Sequence, residues 1–207
     1  MKVILFLFIS FLFVSSSLIG QNINVGPYLQ DAEPSSITIM WETSSGNESV
    51  VEWGTSSSLG NSSSGIFMAG NGLSRIHTTI ISGLESNTKY YYRVITNNAQ
   101  SDIFDFVTPP LPNSEAPVNL VSMSDMQQDW QHTNVFEDII NDELIPFVNN
   151  RFGNGLSTDI AYVFIPGDLV TTGSNYSSWE STFFDPAQAL FQHVPVYPVA
   201  GNHEQNS

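Results

Sequence analysis

At residues 108–112 the chain reads Thr-Pro-Pro-Leu-Pro, and no regular element can cross it. Proline donates no backbone hydrogen bond and fixes φ, so this stretch ends any strand ladder and stiffens the chain leading out of it. The hydrophobic period differs on its two sides. Before it, residues 36–42 (Ser-Ile-Thr-Ile-Met-Trp-Glu) alternate, with Ile37, Ile39 and Trp41 on one face. Residues 50–53, 76–81 and 90–95 are similar short runs separated by Gly, Ser and Asn. Six or seven such strands without helical spacing indicate an antiparallel β-sandwich. The Gly/Ser/Asn-rich residues 54–65 read as a long loop or a ragged edge strand. After the prolines come three continuous apolar runs, at 118–123, 160–165 and 194–199. Between them Phe136, Ile140, Leu144 and Phe147 fall at helical spacing behind a cap at Thr133 or Asn134, and residues 176–192 are mostly helical. Strands alternating with helices imply a parallel sheet buried on both faces.

The fold class predicted is therefore multidomain, an all-β sandwich followed by an α/β domain. Residues 22–108 form the sandwich, 109–117 the proline-rich linker and 118–207 the α/β domain. Residues 1–20 stand apart. Lys2, a short apolar run and small residues up to Gly20 read as a secretory signal peptide cleaved near Gly20/Gln21. The protein is expected to be secreted or periplasmic, and free of the membrane once cleaved. An exported chain without cysteine favours a bacterial origin. Five basic against twenty acidic residues give a formal charge of −15, which repels nucleic acid and anionic lipid. The same charge repels a phosphate ester unless bound cations reverse the local field.

Within the sandwich, Leu84, Thr88 and Tyr90 are spaced as in the tyrosine corner of fibronectin type III domains, which they resemble. Trp41 is expected in the core beneath that corner, and His77 on a strand surface.

Each apolar run of the second half leads straight into a polar cluster: Ser124-Asp125-Met126-Gln127, Pro166-Gly167-Asp168 and Gly201-Asn202-His203-Glu204. Open α/β sheets form their sites at the carboxyl ends of the strands, so these clusters should meet in one crevice. One such Asp is commonly just a helix cap; three polar clusters at the same edge are not explained by capping. Carboxylates and carboxamides with an imidazole suit Mn, Fe or Zn, and two adjacent cations need a carboxylate that bridges them.

In order and separation these clusters resemble the calcineurin-like metallophosphoesterases. Gly26-Pro-Tyr-Leu-Gln30, the run Ile37 to Trp41 and Val51-Glu-Trp-Gly54 resemble the fibronectin type III-like domain that precedes the catalytic domain in purple acid phosphatases. The resemblance implies a secreted acid phosphatase-like hydrolase whose dinuclear centre of divalent or trivalent ions (Fe, Zn or Mn) activates a bridging hydroxide for in-line attack on a phosphate ester. It implies that Asp125 ligates one metal, Asp168 bridges both and Asn202 binds the second. His203 would protonate the leaving oxygen or stabilise the transition state. Glu204, Gln127 and Thr171 are the further candidates, as ligands or as groups that orient them. Thr171 stands where purple acid phosphatases carry tyrosine, and Gln127 where many relatives carry histidine.

The resemblance also implies a further histidine and a Gly-His-x-His element, which His77, His132 and His193 do not supply. His193 closes a helix, where a cation suits the dipole, and His132 is a lesser candidate for the pocket. The chain is accordingly expected to be the N-terminal part of a longer protein, inactive and weakly metal-binding when expressed alone. The alternatives are a non-catalytic adhesion module with a degenerate phosphoesterase remnant, and a phosphodiesterase or nucleotidase of the same superfamily. Metal-dependent hydrolysis of a phosphate monoester separates them. Oligomeric state has no signature in the sequence.

Overall fold

A computed structural model describes residues 22–205. The signal peptide read at residues 1–20 lies outside them. Among the described residues no helix is long and apolar enough to cross a membrane.

The first domain is an antiparallel sandwich of two sheets. It contains β1 (Ile23–Glu33), β2 (Ser36–Thr43), β3 (Val50–Gly54), β4 (Asn61–Ser64), β5 (Ile66–Ala69), β6 (Arg75–Ser82), β7 (Lys89–Thr96), β8 (Ala99–Gln100) and β9 (Phe104–Val107). One sheet has the order β1-β2-β6-β5; the other runs β4-β3-β7-β8, with β9 also paired to β7. The alternation along β2 turns Ile37, Ile39 and Trp41 inward, and β7 does the same with Tyr90, Tyr92 and Val94. With Leu29, Val51, Ile81 and Phe106 they form the core, each large side chain contributing roughly 1.5–3 kcal/mol by burial. The Gly/Ser-rich stretch is more ordered than its composition implies. It forms edge strand β4 on one sheet and then β5 on the other.

The Tyr90 hydroxyl accepts the Glu85 N–H at 2.9 Å, which closes the corner between β6 and β7. Trp53 and Phe106 are the aromatic rings against Tyr90. Trp41 instead stacks on His77 and donates its indole N–H to Thr96 Oγ1 at 2.9 Å. His77 is not on the surface as its strand position suggested: it is fully buried. Facing inward from β6, it finds hydroxyl partners on both ring nitrogens, so the core holds it without an unmet polar group.

In the second domain β10 (Leu120–Ser122), β11 (Tyr162–Pro166) and β12 (Val196–Val199) pair in parallel, with β11 central. Helices α1 (Val135–Asp138) and α2 (Ile145–Arg151) are joined by a π-helical stretch, Ile139–Leu144. After α3 (Leu156–Asp159), helices α4 (Tyr176–Ser178) and α5 (Asp185–Phe191) flank a second π-helical stretch, Trp179–Phe184. Each π stretch is followed at once by a helix with proline in its first turn, Pro146 and Pro186. Proline lacks the N–H and crowds the carbonyl one turn back, and a widened turn before it relieves both demands. Helix α6 (Asn202–Gln205) comes after β12.

Helices cover one sheet face, burying Val163, Ile165 and Val196 against Phe136, Ile140, Phe183 and Leu190. The sequence pattern implied cover on both faces. Here Leu120, Phe164 and Val199 on β10, β11 and β12 are exposed, while Tyr162 packs against the sandwich core.

The domains are tied by specific contacts. Tyr92 donates its hydroxyl to Gln192 O at 2.8 Å, and Tyr197 accepts the Ala32 N–H at 2.9 Å. The Asp105 carboxylate of β9 meets Lys89 at 2.8 Å, His193 at 2.7 Å and the Ser157 hydroxyl at 2.8 Å. Although half-buried, it is held well below the usual carboxylate range by these donors, with His193 first. His193 lies just beyond α5, but its partner is this carboxylate on the other domain.

Candidate metal centre

The three polar clusters leave β10, β11 and β12 at the same edge of the parallel sheet, and backbone hydrogen bonds bind their loops together. Asp125 N–H donates to Gly167 O at 3.4 Å and Gln127 N–H to Asp168 O at 3.2 Å. His203 N–H donates to Asp168 Oδ1 at 3.2 Å. Two of the aspartates leave their strands in the left-handed region, with φ 58° at Asp125 and 53° at Asp168. That conformation costs an L residue of order 1–3 kcal/mol and is concentrated at functional sites. It turns the chain sharply at both strand exits. Gly201 is required at the third: a Cβ there would overlap Asp168 Oδ1 and lie 2.5 Å from the Asp168 nitrogen.

Glu204 reaches back from the third cluster to the second. Oε1 accepts the N–H groups of Leu169 and Val170 at 2.8 and 3.0 Å, and Oε2 those of Asp168 and Gly201 at 3.1 and 2.7 Å. Burial alone would raise its carboxyl, but these four donors outweigh burial and lower it. With four backbone donors on it, this carboxylate ties the Asp168 loop to the third cluster. Thr171 is occupied as well. Its hydroxyl donates to Gln128 O at 2.7 Å, and its carbonyl receives Nδ1 of His203 at 2.7 Å. A carbonyl can only accept, so Nδ1 carries the proton. Nε2 of His203 has no hydrogen-bond partner among the described residues and stays available.

Asp125 is exposed and receives the Ser124 hydroxyl at 2.6 Å, while Asp168 is half-buried and Asn202 exposed. The Gln127 carboxamide is the unusual group. Its Oε1 is buried and has no hydrogen-bond partner among the described residues. An unmet buried acceptor costs about 1–3 kcal/mol, which a cation at that oxygen would offset. Among the described residues no three His, Cys, Asp or Glu side chains converge to hold a metal ion. The donors available are carboxylate and carboxamide oxygens with one imidazole, a set that fits a hard or borderline cation.

Beside these groups lies a cleft of about 270 Å³, lined by Asp125, Gln127, Gln128, Asp129, His132 and Thr182 among others. His132 belongs to it through Asp129, whose Oδ2 lies 3.2 Å from Nδ1. Sequence reasoning passed over Gln128 and Asp129. Their only signal is proximity to the first cluster, and Asp129 as an Asx-type turn former gives no more. The Thr171 carbonyl was equally invisible, because main-chain groups carry no residue signature.

Comparison with known proteins separates the two domains in the same way. The family model described as purple acid phosphatase, N-terminal domain matches residues 24–108, and that described as calcineurin-like phosphoesterase matches residues 119–207. Purple acid phosphatase 21 of Arabidopsis thaliana is 29% identical over 134 residues, covering 64% of this chain. The match spans 25% of that relative's length. Among solved structures, PhoD superposes with a TM-score of 0.60 at 13% identity, over 89% of this chain and 40% of PhoD, a likeness of fold. The first domain is thus similar to the purple acid phosphatase N-terminal domain and the second to the calcineurin-like phosphoesterases.

Proposed function

We propose that the protein carrying this chain is an exported, metal-dependent phosphoric ester hydrolase of the acid phosphatase type. The observation that carries the proposal is the meeting of three strand exits around two left-handed aspartates and the unpartnered oxygen of Gln127. Asp125, Asp168, Asn202 and Gln127 would hold the metal, with Asp168 shared between two ions of Fe, Zn or Mn. When bound, the metal supplies Lewis acidity to a phosphoryl oxygen and offsets the repulsion between the substrate and an acidic protein.

The protein's own groups do the rest. His203, anchored through Nδ1 by the Thr171 carbonyl, presents Nε2 to the leaving oxygen and, when protonated on both nitrogens, would give it that second proton. Glu204 holds the Asp168 loop through four backbone N–H groups, so the shared carboxylate does not swing away. The cleft beside Asp125 is where the alcohol portion of the ester would lie.

The test is metal-dependent hydrolysis of a chromogenic phosphate monoester by the full-length gene product, with a diester as the second arm. His203→Ala should lower turnover about 100-fold or more with metal content near normal. Asp168→Asn should lower the metal content itself. No metal-dependent hydrolysis of either ester overturns the proposal, and equal metal loss from both variants overturns the separate roles.

A further inference from the structure

Between the outer face of the β1-β2-β6 sheet and the second π-helical stretch lies a groove of about 300 Å³ that shares no lining residue with the metal-site cleft. Its walls are aromatic: Tyr28, Tyr176, Trp179 and Phe184. Tyr28 and Phe184 meet with ring centroids 4.8 Å apart, and Trp179 is fixed by its indole N–H to Gly173 O at 2.9 Å. Two carboxylates, Glu42 and Glu180, face the same space.

Glu42 is the anomaly. It is 9% exposed, yet among the described residues its one side-chain hydrogen bond is from the Tyr176 hydroxyl, at 2.8 Å. A carboxylate taken out of water needs a counter-charge or several donors, and among the described residues no Lys, Arg or His provides one. Each described basic residue is engaged elsewhere. Arg75 donates to the carbonyls of Leu73 and Ser74, Lys89 pairs with Asp105, Arg93 pairs with Glu52, and Arg151 lies over Phe152. Burial, then Asp185 and Glu42, pushes the Glu180 carboxyl up. Burial, then Glu42 and Tyr176, pushes the Tyr28 hydroxyl up. Burial leads both shifts and the Glu42 charge adds to each, while among the described residues no cation lies against that carboxylate.

We propose that this groove is a binding site for a small organic ammonium cation, of the quaternary or N-methylated class, whose charge meets Glu42 and Glu180 and whose methyl groups meet the aromatic walls. Aromatic faces attract cations within about 6 Å of the ring centre, and most strongly when the cation sheds little water on entry. A hydrated metal ion could meet the two carboxylates, but Val25, Ile76 and the ring faces that make up the rest of the walls offer nothing to replace its remaining water. A neutral apolar ligand would leave Glu42 buried and unpaired. Only a cation clothed in apolar groups satisfies both kinds of lining.

Isothermal titration of this chain with choline tests the site, with 3,3-dimethyl-1-butanol as the neutral ligand of the same shape and Ca²⁺ as the hydrated cation. Choline should saturate one site, with the neutral isostere weaker by about tenfold or more and Ca²⁺ not competing. Glu42→Gln keeps an acceptor for Tyr176 but removes the charge, and should weaken choline by about tenfold. Glu180→Gln, on a less buried residue, provides the same readout if the first variant folds poorly. Absence of choline binding, equal affinity for the neutral isostere, competition by Ca²⁺, or affinity unchanged in both variants would overturn the proposal. None of these readouts requires phosphatase activity.

Discussion

Two histidines, one in each domain, show how differently the halves use polar groups. In the sandwich, Thr43 donates its hydroxyl to Ser45 O, so Nε2–H of His77 must donate to Thr43 at 2.8 Å, leaving Nδ1 to accept from Ser49 at 2.8 Å. The imidazole is neutral, fully buried and without a free valence. Burial first, with Arg75 as a smaller cause, lowers its pKa from the usual 6.5 to about 4. In the second domain His203 has one nitrogen anchored and, among the described residues, the other open, at the mouth of loops that keep two aspartates in a left-handed conformation and leave Gln127 Oε1 without a partner there. A polar group whose valences are all met inside a fold is explained by packing. One left open next to strained backbone calls for a ligand.

The contrast can be broken from the open side first. Gly201→Ala would drive a methyl into Asp168, and the two loops must part. Divalent metal affinity of the full-length protein, read by competition with a chromogenic chelator, should fall about 10- to 100-fold. An unchanged affinity would mean that the third strand exit does not position Asp168. On the closed side, His77→Leu removes both hydroxyl contacts and should destabilise the sandwich by about 1–3 kcal/mol at neutral pH. The sign with pH comes from the lowered pKa. The unfolded chain takes up the proton more readily, so the contribution of His77 is complete above about 6.5, declines as pH falls, and is lost below about 4. Urea midpoints tracked through that window should slope in the native chain and flatten in the variant. The smallest effect is at the corner. Tyr90→Phe leaves the Glu85 N–H without its acceptor and should cost about 1 kcal/mol; an unchanged denaturation midpoint would show that water replaces the hydroxyl.

Much of the fold was legible because both domains keep to periods. The alternation of Ile37, Ile39 and Trp41 needs only a sheet with one buried face, and runs such as residues 160–165 followed by helical spacing need only a parallel sheet. Less legible were the edges. Residues 61–69 carry little apolar signal in their first half, and become strands because β3 and β6 offer open ladders. The exposure of Phe164 and Val199 is likewise a property of neighbours, not of β11 and β12 themselves.

By itself the sequence determined the order of parts: a proline stretch that no strand or helix can cross, a period of two before it, and strands that end in Asp, Gly-Asp and Gly-Asn-His-Glu after it. These are local patterns, set by backbone sterics and side-chain spacing over a few residues. Only the tertiary structure decided which polar groups are satisfied. Glu204 meets the backbone of residues 168–170 and Tyr176 meets Glu42 across 134 positions. Contacts at that separation depend on how whole elements pack, and burial, which sets the cost of every unpaired charge, exists only once they have done so.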